Sequence, residues 1–103
     1  MSSETYVAPR QGLPSDWVTK LRDAVSGRDD IRAAYWLTTL YESEEGTVAQ
    51  DEIHVELVDP PSDRVSVEQV RELSGVIPAN GPVWAVSPRR ILAHVRSVGR
   101  RVA

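Results

Sequence analysis

Twelve consecutive residues, Ile31 to Glu42 (IRAAYWLTTLYE), contain no glycine or proline. Their aromatic and β-branched side chains suit a pleated backbone better than a helix. Alternate positions place Ile31, Ala33, Tyr35, Leu37, Thr39 and Tyr41 on one face and Arg32, Ala34, Trp36, Thr38, Leu40 and Glu42 on the other. Neither row is polar through its middle, and a strand that is apolar on both faces must be covered on both. The stretch is therefore predicted as the central strand of a small sheet, with another chain as a candidate for the second cover.

The rest of the chain has to supply the neighbours of that strand. Its 103 residues allow one domain with a core of its own. The absence of cysteine excludes disulfides, thiolate metal sites and cysteine nucleophiles. No apolar run is long enough to span a bilayer, and residues 1–13 lack the apolar core of a signal peptide, so a cytoplasmic location is expected. The net charge of −3 is unevenly spread. Ten acids lie between Glu42 and Glu72 against Arg64 and Arg71, whereas Pro88 to Ala103 carries Arg89, Arg90, Arg96, Arg100 and Arg101 and no acid. The two regions are expected to face each other or partners of opposite sign.

Residues 1–13 mix small and polar residues with proline and read as a mobile arm; residues 14–103 read as the single domain. Ser15 is an N-cap candidate with Asp16 behind it, and Trp17, Val18, Leu21, Ala24 and Val25 form one helical stripe that Gly27 ends. After the central strand, SEEGTVAQD reads as a polar hairpin loop with Gly46 at an unusual backbone angle. EIHVELV then alternates, with Ile53, Val55 and Leu57 opposite His54 and Glu56, as in a half-buried strand. Ser66 with Gln69 opens a second helix that Gly75 closes. VWAV is a third strand, and Ser87-Pro88 starts a last helix whose stripe is Ile91, Leu92, Val95 and Val98, ended by Gly99. The predicted fold class is α+β: a three-stranded mixed sheet with three helices, in the order α-β-β-α-β-α.

Three groups of residues bear on function. SPRR, at a strand-to-helix junction, offers Ser87, Arg89 and Arg90 as an anion-binding candidate, because free amides and guanidinium donors both favour phosphate or carboxylate. His54, Glu56 and His94 carry the residue types of acid–base chemistry, but without motif spacing they read as surface residues. No catalytic or metal-binding residue and no cofactor is assigned. The C-terminal arginines could hold phosphates, yet the acidic balance and the lack of a reading module point away from nucleic acid. Trp36, Leu40 and Trp84 are interface candidates, because half-buried aromatics on a sheet are typical anchors of association.

Four stretches, GLPSDWVTKLRDAV, DDIRAAYWLTTLYE, EIHVELVD and GPVWAVSPRRILAHV, together resemble the C-terminal domain of the SseB family, the enhanced serine sensitivity proteins. That domain likewise opens with a proline-led helix and continues to a strand with an AYL-like core, here Ala34, Tyr35, Trp36 and Leu37. The resemblance covers roughly residues 12–98. It departs from the family in lacking the usual preceding SseB-type domain and in stopping soon after the last helix. It implies a bacterial cytoplasmic domain and carries over no active-site residue. The expected function is accordingly non-enzymatic: a protein-interaction domain that self-associates, as a homodimer or larger homo-oligomer, or binds another protein, without membrane or nucleic acid. An anion-sensing module at Ser87–Arg90 is the alternative.

Overall fold

A computed structural model describes residues 3–62 and 82–103. Its elements are β1 (Ser3–Val7), α1 (Ser15–Ser26), β2 (Ile31–Ser43), β3 (Gly46–Leu57), β4 (Val83–Val86), a 3₁₀ turn (Arg89–Ile91), α2 (Leu92–Val98) and β5 (Arg100–Arg101). They build one five-stranded mixed sheet in the order β1-β2-β3-β4, with β5 also paired to β2. This corrects the expected three-stranded sheet with three helices. Two strands were not foreseen, and the described residues hold two α-helices. The helix expected from Ser66 lies outside the described residues.

β2 is the central strand. β3 lines one of its edges over the whole length, from Ile31↔Leu57 to Ser43↔Gly46. The other edge is shared end to end by β1, opposite Thr38–Glu42, and β5, opposite Tyr35 and Trp36. β3 pairs in parallel with β4, from Glu52↔Val83 to Val55↔Val86. The segment expected as a mobile arm thus forms an edge strand, and the chain returns after α2 to add two more residues to the same edge. Neither strand announces itself by apolar alternation, because SETYV and RR are short and take their partner from a β2 edge that is already in place.

The hairpin is tighter than expected. Only Glu44 and Glu45 separate the strands, and Gly46, at φ 126°, adopts the backbone angle that side chains avoid. Thr47 to Asp51, read from sequence as loop, extend β3.

Both sheet faces are covered by this chain's own helices. α1 lies on the face that carries Ala34, Trp36, Ile53, Val55, Trp84 and Val86, into which Leu21 and Val25 are buried. α2 lies on the other, where Val95 packs with Ala33, Tyr35 and Leu37. The second cover for β2 therefore comes from within. A register irregularity between Ile31 and Ala33 breaks strict alternation and sends Ile31 to the α1 core beside Ala34 and Trp36; an inserted residue shifts side chains to the opposite face in this way. α1 starts on Pro14 with no side-chain cap, so Ser15 is its first residue, and Gly27 ends it at φ −86°, outside the left-handed region.

Candidate functional site

On the α2 face, β3 presents Glu52, His54 and Glu56 in a row, and all three are buried, at 2%, 3% and 1% exposure. The alternation that marked His54 and Glu56 as surface residues is present, but α2 and β1 roof that face. The carboxylates remain because every one of their oxygens has a partner, the condition for burying a charge. Glu52 Oε1 accepts from the Thr39 hydroxyl and lies 2.8 Å from His54 Nε2, and Glu52 Oε2 accepts from the Tyr41 hydroxyl. Burial pushes the Glu52 carboxyl up, but the hydrogen bonds from His54, Thr39 and Tyr41 together outweigh it and hold the group below the ordinary glutamate value.

Glu56 is held by Arg96 on α2, through Nε at 2.9 Å and Nη2 at 2.6 Å. Tyr35 donates to the same carboxylate at 3.4 Å, and Arg32 Nε stands 3.8 Å away. The Arg96 hydrogen bonds are the main cause of its lowered pKa; burial opposes them. A two-toothed guanidinium–carboxylate contact of this kind fixes orientation as well as charge, and here it clamps α2 to the sheet.

His54 links the row to the end of β4. Its Nε2 faces Glu52, and its Nδ1 lies 3.1 Å from Ser87 Oγ, so the tautomer with Nε2–H donating to the carboxylate lets Nδ1 accept a hydrogen bond from the serine hydroxyl. The Tyr6 ring stands edge-on to the imidazole, with centroids 5.5 Å apart. Tyr6, Tyr41, Glu52, His54, Pro88 and Ile91 border a cleft of about 160 Å³.

The sequence Ser87–His54–Glu52 has the order of a nucleophile, base and carboxylate relay. The geometry does not support that chemistry. Ser87 is 1% exposed, so its hydroxyl meets no substrate. Two of the amides beyond it are engaged, Arg89 N with Pro61 O at 2.8 Å and Ile91 N with Pro88 O at 3.1 Å. The relay instead ties β4 and the 3₁₀ turn to β3.

The same contacts separate the residues of the SPRR candidate. Ser87 points inward to His54, while Arg89 reaches outward to Asp59 Oδ1 at 3.4 Å and Pro60 O at 3.3 Å. Arg90 is exposed, with no partner among the described residues. The 3₁₀ turn begins on Pro88 without a side-chain cap. No shared anion site is assembled there. His94, on α2, stands 3.0 Å from the Tyr6 carbonyl and has no part in the Glu52–His54 row.

The interface candidates fall mostly within the α1 core. Trp36 is 3% and Trp84 9% exposed, and Leu40 is half-buried. Trp36 Nε1 donates to Gln11 O at 2.7 Å, which satisfies the one polar atom of a buried indole. Beside it opens a groove of about 480 Å³, whose walls include Leu13, Trp17, Trp36, Ala49 and Val83, with Arg10 and Asp51 joined at 3.0 Å on its rim.

Glu52, Thr39, Tyr41 and Arg96 escaped the sequence reading. The available signal was their common face: Thr39 and Tyr41 alternate along the strand that pairs with the one carrying Glu52 and His54, but only the register brings them together. Among the described residues no group of three or more histidine or acidic side chains is placed to hold a metal ion, and no helix is long and apolar enough to cross a membrane. No family model, curated protein or solved structure matches the chain.

Proposed function

We propose that the chain is a non-enzymatic protein-interaction domain of the bacterial cytoplasm that associates with a second copy of itself, in keeping with its resemblance to the SseB C-terminal domain. The observation that carries this reading is the groove beside Trp36. It is open, it is walled by two tryptophans and aliphatic side chains, and it has an ion pair on its rim, the layout of an apolar centre within a polar border. The absence of a catalytic role rests on the α2 face, where each ionisable group is engaged in holding strands or helix in place.

Trp36 and Trp84 are core side chains, so the contact is made by what surrounds them. Val83 is 44% exposed on the groove wall, and Leu40 and Ala49 face each other across the hairpin nearby. A patch of this kind can pair with its own copy about a twofold axis. Light scattering over a wide concentration range tests it with Val83→Glu, a change at an exposed position. A native dimer that becomes a folded monomer in the variant is the expected result. A native protein that stays monomeric at millimolar concentration removes the self-association reading.

A further inference from the structure

We propose that the groove between α1 and β5 is a binding site for a small organic phosphate ester, with the phosphoryl group held by Arg22 and Arg100 and the organic part resting on Leu13 and Val18. This groove has a volume of about 340 Å³ and is lined by Arg22, Arg100 and Arg101 together with the Ser15 hydroxyl and an apolar wall. Its volume is at the lower end of the range for small-molecule sites, where apolar walls carry a few convergent polar groups.

What sets the groove apart is the pairing of the arginines. Arg10, Arg28, Arg32, Arg89 and Arg96 each meet an acid, Asp51, Asp30, Glu56, Asp59 and Glu56 respectively. Arg22, Arg100 and Arg101, like the exposed Arg90, have no aspartate or glutamate partner among the described residues. In a chain with more acids than bases, Arg22 and Arg100 border one groove that no aspartate or glutamate lines.

Arg22 is also held in place: its Nε donates to Val102 O at 3.2 Å, which steadies the planar head and leaves its terminal nitrogens for a ligand. Arg100 pairs in register with Trp36 and so shares the sheet face on which α1 lies. The fork of N–H donors on a guanidinium matches the oxygens of a phosphate, and a doubly charged phosphoryl group can engage two such forks at once. Leu13 and Val18 are partly buried against the core and offer the surface on which an apolar ester group would rest. The site lies away from Ser87–Arg90 and shares only Leu13 with the groove beside Trp36.

The test is a titration of the full chain with phenyl phosphate at low salt, followed by amide chemical shifts and calorimetry, with inorganic phosphate and benzoate as parallel arms. Saturable shifts should centre on Val18, Arg100 and Val102, with phenyl phosphate binding more tightly than either simpler ligand and more weakly as sodium chloride rises. Arg22→Ala combined with Arg100→Ala should weaken binding by roughly tenfold or more, while Arg90→Ala leaves it unchanged. Arg100→Ala alone, at an exposed position on a two-residue strand, keeps the test valid if the double variant does not fold. The proposal is overturned by the absence of saturable shifts, by affinity that survives loss of Arg100, by shifts centred on Arg89 and Arg90, or by benzoate binding as tightly as phenyl phosphate.

Discussion

Gly99 shows how much a single position can constrain this fold. It follows α2 directly, and its amide closes the helix on Val95 O at 2.8 Å. A Cβ built on it would stand 2.7 Å from that carbonyl and 3.1 Å from Tyr35 Cβ, so backbone or core must move to admit even a methyl group. The backbone angle itself is ordinary, at φ −77°; close approach is what requires glycine here. Gly99→Ala is expected to lower stability by about 1–3 kcal/mol, the usual cost of overpacking, read as a fall in the urea midpoint. An unchanged midpoint would mean that α2 shifts freely over the sheet. Gly27 is the contrast, because the nearest atom to a Cβ there is 3.9 Å away and alanine fits.

Among the elements, β1 contributes most relative to its length. Its five residues cover the outer edge of β2 from Thr38 to Glu42, and Tyr6 reaches over the sheet to His54 while its carbonyl meets His94. The strand therefore closes an edge and helps to roof the buried polar row. Deleting residues 1–7 should expose the β2 edge and open the space above His54. The melting temperature should drop by several degrees, and aggregation should rise with concentration, as expected for an uncovered apolar edge. Thermal unfolding with parallel light scattering measures both, and a truncated chain that melts like the full one would reduce β1 to an appendage. α2 has a comparable role on the same face: seven residues long, it owes its place to Leu92, Val95 and the Arg96–Glu56 contact rather than to its own helical propensity.

At the scale of the whole molecule, the buried carboxylates set how stability depends on pH. Glu52 and Glu56 both have folded-state pKa values below the ordinary 4.5 of glutamate. A group whose pKa is depressed by folding stabilises the native state above its unfolded value, and that contribution disappears as pH falls through the folded value. Stability should therefore be flat with respect to these two groups near neutrality and decline below about pH 4.5 as the unfolded chain takes up protons that the folded chain refuses. Glu56→Gln should be less stable than the native chain at pH 7 and show a shallower acid limb, since one of the two depressed groups is gone. Denaturant melts from pH 7 to pH 3 would reveal it, and parallel limbs for the two proteins would mean that Glu56 contributes nothing to the linkage. The charge asymmetry of the sequence is only partly resolved in space: Arg96 and Arg89 meet acids of the central segment, whereas Arg100 shares the sheet face on which α1 lies.

The sequence by itself determined the central strand, the first helix with its buried stripe, the hairpin with its strained glycine, the VWAV strand and the stop of the last helix at Gly99, but not its start, where Ser87 turns to His54 and an uncapped 3₁₀ turn precedes the α-helix at Leu92. Each of these is written in local periodicity or in a residue whose backbone preference is strong. It did not determine β1 and β5, because a strand of a few mixed residues forms only when a waiting edge supplies the hydrogen bonds. It also assigned His54 and Glu56 to solvent, since polar alternation looks the same whether water or a helix lies above it. The tertiary structure decided that α2 lies there, and that Arg96, Tyr35, Thr39 and Tyr41 arrive with the donors that two buried carboxylates need. For Trp36 and Trp84 the sequence supplied aromatic anchors, and only the placement of α1 and the sheet made them core. The groove that Arg22 and Arg100 border joins opposite ends of the domain, with Arg22 bonded to Val102 eighty residues on, a proximity that no local pattern encodes.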